Sequence, residues 1–136
     1  MTTQPTSPYA ALVLRLGLGI MFIAHALLKL LVFTPEGTVG FFSSLGIPGW
    51  LAYPTIAIEL IGGVMLILGT KTKYISLALI PVLIGTIVLV HGANGWMFAN
   101  EGGGWEYPLF LIIALIAQSL MGSGTLNSRS IFSKNN

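Results

Sequence analysis

The sequence predicts an all-α protein: an antiparallel up-down bundle of four transmembrane helices with both termini in the cytoplasm. Three observations carry this. Hydrophobic residues make up 54% of the 136 and charged residues 7%, against roughly 25% charged in soluble domains. The apolar residues fall in four runs, each near the ~20 residues that a bilayer core requires. Lysine and arginine gather in the connections on one side of these runs, glutamate in those on the other.

The first run, 9–32, contains "LVLRLGLGIMFIAHALLKLLV". Its start also has the outline of a secretory signal, with Arg15 closing a basic region, "LGLGIMFI" as the apolar stretch and "AHA" as a cleavage site. Apolar residues continue past that point, and only an even number of spans matches the distribution of basic residues, which favours a retained span. In the connection "TPEGTVGFFSSLGIPGW", Phe41, Phe42 and Leu45 fall at neighbouring helical positions before Gly46 and Pro48. A short interfacial helix and an ordinary outer loop are equally good readings of it. The second run, 51–70, is joined to the third, 74–92, by "KTK", a connection so short that the two must be antiparallel neighbours. "ANGWMFANEGGG" leads to the fourth, 105–121. Residues 1–126 are expected as one domain. In 127–136, "NSRSIFSKNN" has too little apolar content to pack and is expected as a flexible cytoplasmic tail.

Lys71 and Lys73 lie in the middle turn and Arg129 and Lys134 in the tail, whereas Glu36 and Glu101 occupy the other two loops. The positive-inside rule places the lysine turn and both termini in the cytoplasm. Trp50, Tyr53, Trp96, Trp105 and Tyr107 crowd the opposite end, where indole and phenol rings favour the headgroup zone. Cysteine is absent, which removes disulfides, thiolate nucleophiles and cysteine-held metal or iron–sulfur centres. A net charge of +2 from dispersed residues does not make a nucleic-acid surface. The lipid bilayer is the first expected partner.

Arg15, His25 and Lys29 fall within an arc of about 80° on the first helix. A charge in the middle of a span costs on the order of 2.5–3.5 kcal/mol, so that side faces protein or a cavity. With a rise of about 1.5 Å per residue, His25 and Glu59 lie at a similar depth, roughly 10–12 Å from the outer end. Lys29, His91 and Glu106 lie nearer the outer surface and Arg15 in the inner half. Glu59 shares its face with Thr55, Gly62 and Gly63, small residues that admit a neighbouring backbone. Its expected partner is His25, with the longer side chains of Lys29 and Arg15 as alternatives. The bland reading of the set is ion pairing that fixes helix order, and Arg15 can snorkel to the inner interface. His91, Asn94, Trp96, Glu106 and Tyr107 bracket the last loop and form a mouth suited to a planar, partly polar molecule, or simply an aromatic belt. No Glu-x-x-His spacing occurs, so no metal site is expected. Gly17 and Gly19, or Gly62 and Gly63, offer close helix contacts within one chain or between copies in a homo-oligomer.

In the order "LVLRLGLGIMFIAHALLKL", "FFSSLGIPGW", "IAIELIGGVMLILGTKTK", "VHGANGWM" and "WEYPLFLI", the chain resembles the DoxX family of small four-helix membrane proteins. The resemblance covers nearly the whole chain. It implies a multi-pass protein of the prokaryotic cytoplasmic membrane, related to a membrane subunit of thiosulfate:quinone oxidoreductase and to proteins of thiol-stress complexes. The family's recurrent polar positions correspond to Arg15, His25, Lys29, Glu59, His91 and Glu106.

The expected function is a membrane redox component that binds a quinone-like molecule in the outer half of the bundle. His25 and Glu59 would handle protons, and Arg15, Lys29 and the mouth residues would bind the ligand. With no intrinsic cofactor, it needs a redox partner protein or subunit. A non-enzymatic scaffold and a small proton-coupled transporter are the alternatives.

Overall fold

The computed structural model describes residues 5–133, and these are helical with no strand among them. The tail residues beyond Ser133, Lys134 included, lie outside the described residues.

Helix α1, Ser7–Leu27, starts with a proline in its first turn, where the missing N–H costs nothing. It widens into a π-helical turn over Leu28–Val32, closed by the Phe33 N–H on the Leu28 carbonyl at 3.0 Å. Helix α2, Pro35–Ser44, decides between the two readings of the first connection, and it begins earlier than the Phe41–Phe42–Leu45 pattern indicated. Thr34 caps it by accepting the Gly37 N–H at 3.2 Å, Pro35 opens it, and Glu36 sits in its first turn. Each of these is a helix-start signal. Gly46, at φ +82, ends the segment.

Helix α3, Ala52–Leu68, follows a single 3-10 turn at Gly49–Leu51 and stops at Gly69 in the left-handed conformation. Helix α4, Thr72–Thr86, carries Pro81 in its interior and, like α1, ends in a π-helical turn, Ile87–His91. Helix α5, Glu106–Met121, has 16 residues, about 24 Å of rise. The helical stretches Ser7–Val32, Gly49–Leu68 and Thr72–Asn94 are long and apolar enough to cross a membrane, while Glu106–Met121 is a shorter apolar helix. In the stretch read as tail, Ser128–Ser133 forms a short helix, α6.

Two helix pairs build the molecule: α1 packs chiefly on α3, and α4 on α5. Both pairs are antiparallel. The pairs share a core of Leu18, Phe22, Leu66, Leu79, Leu83, Leu111, Ala114 and Leu115. The outer surface is also apolar, with Val13, Ile20, Leu31, Val88, Phe110 and Leu120 exposed. A bundle that is apolar outside as well as inside is built for a hydrocarbon solvent.

The α1–α3 contact rests on Gly19 and Gly63. A Cβ on Gly19 would lie 2.7 Å from the Gly63 carbonyl oxygen, and one on Gly63 would lie 2.8 Å from that of Gly19. Two backbones therefore touch, and the Ile67 and Ile23 side chains press on the same two positions; the side chains can shift, the carbonyls cannot. Gly63→Ala is expected to lower stability by about 1–3 kcal/mol through overpacking, outweighing the ~1 kcal/mol gain in helix propensity. Gly17→Ala, where a Cβ meets nothing within 4 Å, is expected to be neutral or slightly stabilising. Unfolding of both variants in detergent, followed by circular dichroism, checks the contrast.

Candidate functional site

The end of the bundle that carries α1's N-terminus, the α3–α4 turn and α6 is the tail end. The end that carries α2 and the loop 95–105 is the loop end. Towards the loop end the two helix pairs diverge around a cavity of about 1000 Å³. Its walls are mainly apolar, with Phe22, Phe41, Phe42, Leu83, Leu89 and Leu111 among them, and α2 covers one side. Both π-helical turns border it. Such turns occur disproportionately at functional sites.

Lys29, the second residue of α1's π turn, donates from Nζ to Glu59 Oε2 at 2.8 Å. The Lys29 side chain is 19% exposed and that of Glu59 7%, so the pair is largely withdrawn from solvent yet lines the cavity. Pairing is what makes a charge tolerable there, since an isolated ion in a low-dielectric interior costs several kcal/mol. His25 also lines the cavity but is not the partner of Glu59. Its Nδ1 lies 2.8 Å from the Met21 carbonyl oxygen. A carbonyl only accepts, so Nδ1 carries a hydrogen, and in the neutral tautomer this leaves the lone pair on Nε2. Helix side chains lean toward the N-terminus of their helix. Lys29 on outgoing α1 and Glu59 on returning α3 therefore lean toward each other, and His25 leans away.

Tyr107, at the start of α5, lies beside His25 with ring centroids 6.4 Å apart, and its hydroxyl donates to Met21 Sδ. Met21 thus holds two residues of the wall, a role that the sequence reading missed. Its position one turn before His25 on the same face was the available signal. Thr38 of α2 was missed as well; it is buried, its hydroxyl lies 2.9 Å from the Thr34 carbonyl of its own helix and 3.4 Å from the Lys29 carbonyl, and the second contact joins α2 to the π turn of α1.

His91 lines the far wall. Its Nδ1 and the Asn94 amide both meet the Gly103 carbonyl, at 2.8 and 2.9 Å. The glycine-rich loop is therefore folded back on α4. Asn94 fastens the loop and is not among the cavity's lining residues. Trp96 and Glu106 border a separate, shallower groove of about 460 Å³ on the α5 side. There Trp96 packs edge-on against Trp105 at 4.7 Å, and Glu106 Oε1 accepts the Phe98 N–H at 3.1 Å.

Arg15 is nowhere near this site. It is fully buried at the tail end, where Nε donates to the Ser123 carbonyl, Nη1 to those of Leu66 and Ile67, and Nη2 to those of Thr125 and Leu126, at 2.6–3.0 Å. It does not reach the membrane interface by snorkelling; it caps the carbonyl end of α3 and binds the chain that follows α5. Of the sequence candidates, the structure gathers His25, Lys29, Glu59, His91 and Tyr107 around one cavity and sets Arg15, Asn94, Trp96 and Glu106 apart. No group of three or more His, Asp or Glu side chains able to hold a metal comes together among the described residues.

An all-helical bundle that is apolar on its surface and carries a buried ion pair beside a large internal cavity defines a multi-pass membrane protein. The chain belongs to the DoxX family, whose model matches residues 10–92, a stretch that includes the ion pair and both histidines. It is 38% identical over 112 residues to a Bacillus subtilis (strain 168) protein named "Putative oxidoreductase CatD", a match covering 82% of this chain and 78% of that protein. No solved structure matches.

Proposed function

We propose that this protein is the membrane component of a redox system and that its loop-end cavity receives a quinone-like ring. The Lys29–Glu59 pair on the cavity wall, with His25 beside it, carries the proposal. All four of α1, α3, α4 and α5 span the bilayer of a prokaryotic cytoplasmic membrane, with both termini inside. Lys71, Lys73 and Arg129 at the tail end, and Glu36 and Glu101 at the other, support this orientation. The short α5 is accommodated by local bilayer thinning at modest cost. The relative's name supports the redox assignment.

The site fits such a ligand. A cavity of about 1000 Å³ is at the upper end of small-molecule sites, and apolar walls with a few polar groups are their usual composition. The ring would supply the capacity to take up two electrons and two protons, the electrons coming from a reduced redox partner protein. This chain holds and moves the protons. His25 Nε2 is available to accept or, once protonated, to donate. Lys29 uses one of its three donors on Glu59 and can orient a ligand oxygen with another. Glu59 exchanges a proton while Lys29 balances its charge.

Glu59→Gln tests the proposal. The variant is expected to fold and to accumulate in the membrane, and to lose quinone-dependent electron transfer about 10²-fold or more, the usual worth of a positioned proton-transfer group. Native membranes carrying the wild-type or variant chain, assayed with a short-chain quinone, give the comparison. Unchanged turnover would defeat the proposal. A loss that follows only the amount of folded protein would indicate a scaffold, and solute flux in vesicles containing this chain alone would indicate a transporter.

A further inference from the structure

The interior has two polar regions, and they occupy opposite ends. At the loop end is the cavity with Lys29 and Glu59. At the tail end is a cluster around Arg15, in which Ser123 Oγ donates to Thr72 Oγ1 at 2.8 Å and Gln118 Nε2 donates to the Gly122 carbonyl at 2.9 Å. Ser76 Oγ and Gln118 Oε1 are buried there without a partner among the described residues. Buried polar atoms of that kind are ordinarily satisfied by internal water. The tail-end cluster is thus where water would penetrate from that side.

Each helix then closes the way onward. Beyond Arg15, α1 presents Leu18 and Phe22, and beyond Ser76, α4 presents Leu79 and Leu83. Above Gln118, α5 presents Leu115 and Leu111. On α3 the corresponding stretch is Gly62 and Gly63, and these glycines are filled in by Leu79, Ile75 and Ile23 rather than left open. Leu79 and Leu115 have no exposed surface at all. An interior packed like this has few voids large enough for a water molecule.

We propose that water and protons reach the Lys29–Glu59 pair from the loop-end face of the membrane alone, and that the apolar layer between the two polar regions is the seal. This rests on the reading that the bundle spans the membrane, but not on the identity of the ligand. If the cavity performs proton-coupled chemistry, the protons it consumes or yields belong to the loop-end compartment, so the site works vectorially.

The chain's lack of cysteine allows a direct test. Single-cysteine variants Thr55→Cys and Thr86→Cys place a thiol on the cavity wall, Glu101→Cys marks the loop-end face and Arg129→Cys the tail-end face. Each is reconstituted in lipid vesicles, and a membrane-impermeant cationic methanethiosulfonate reagent is added to one side at a time. The cavity thiols are expected to react at least ~10-fold faster from the side that modifies Glu101→Cys than from the side that modifies Arg129→Cys. Equal or faster reaction from the Arg129→Cys side, or reaction from neither side, would overturn the sealed, loop-facing cavity while leaving the spanning arrangement intact. Glu101→Cys and Arg129→Cys reacting from the same side would overturn both.

Discussion

Arg15→Leu is expected to reduce accumulation of the folded protein sharply. All five N–H bonds of the guanidinium are used, on carbonyls of Leu66, Ile67, Ser123, Thr125 and Leu126. Leu66 and Ile67 belong to the last turn of α3, whose carbonyls form the negative end of its dipole; the Leu66 carbonyl also accepts the Gly69 N–H, at a long 3.2 Å. The other three lie in the chain after α5, which no helix ladder satisfies. One side chain of α1 thus ties the end of α3 to the end of α5. Leucine replaces the stem of the side chain and supplies no donor. Each acceptor left buried and unpaired costs about 1–3 kcal/mol. Some carbonyls near the end of the bundle will recover water, so a loss on the order of 3–5 kcal/mol is expected, a large part of a typical total stability of about 5–15 kcal/mol. Arg15→Lys keeps the charge but not the planar fork and is expected to fall between. Detergent-induced loss of helicity and the monodisperse yield measure the series. An Arg15→Leu variant with the wild-type unfolding midpoint would contradict the clamp.

The Lys29–Glu59 pair predicts an asymmetric double-mutant cycle. Lys29→Met leaves a carboxylate, in a residue only 5% exposed, without its cation. Removing one partner of such a pair is expected to cost about 3–5 kcal/mol. Glu59→Gln leaves the ammonium on a flexible stem nearer the loop end, from where it can turn to the rim, and about 1–2 kcal/mol is expected. The double variant Lys29→Met/Glu59→Gln buries no charge and is expected to be more stable than Lys29→Met alone. Unfolding midpoints of the four proteins in one detergent provide the cycle. Additive losses would show that the pair is not energetically coupled, and Lys29→Met milder than Glu59→Gln would contradict the asymmetry.

The four apolar runs and the lysine turn were legible because they depend on composition over long windows, which tertiary context seldom overrides. The start of α2 was legible in principle: Thr34, Pro35 and Glu36 form a helix-start signature that lies outside the apolar pattern. Two features were not. The π turns arise from how α1 and α4 end against their neighbours, and no local propensity announces them. The folding of the glycine-rich loop onto α4 depends on long-range bonds that no local pattern announces: the Gly103 carbonyl shared by His91 and Asn94, and the Asn94 carbonyl accepting from Asn100 Nδ2.

Within the site, depth counted along Cα positions paired Glu59 with His25, whereas the lean of helical side chains toward the N-terminus pairs it with Lys29. The shared face of Arg15 and Lys29 was read correctly in angle, but about 21 Å of axial rise separates them, which sends one to the clamp and the other to the cavity. The Gly62–Gly63 pair did mark a close helix approach. Gly63 meets Gly19 of the same chain, and Gly62 meets Ile75 and Leu79 of α4.

The central claim is that the loop-end cavity is a binding site for a quinone-like ring. Photolabelling of the membrane-embedded protein with an azidoquinone, followed by peptide mass spectrometry, tests it most directly. Saturable adducts on cavity residues such as Phe41, Phe42 and Leu89, suppressed by excess unlabelled quinone, are the predicted result. Adducts confined to the lipid-facing residues Val13, Ile20 and Leu120, or labelling that excess quinone does not suppress, would contradict it.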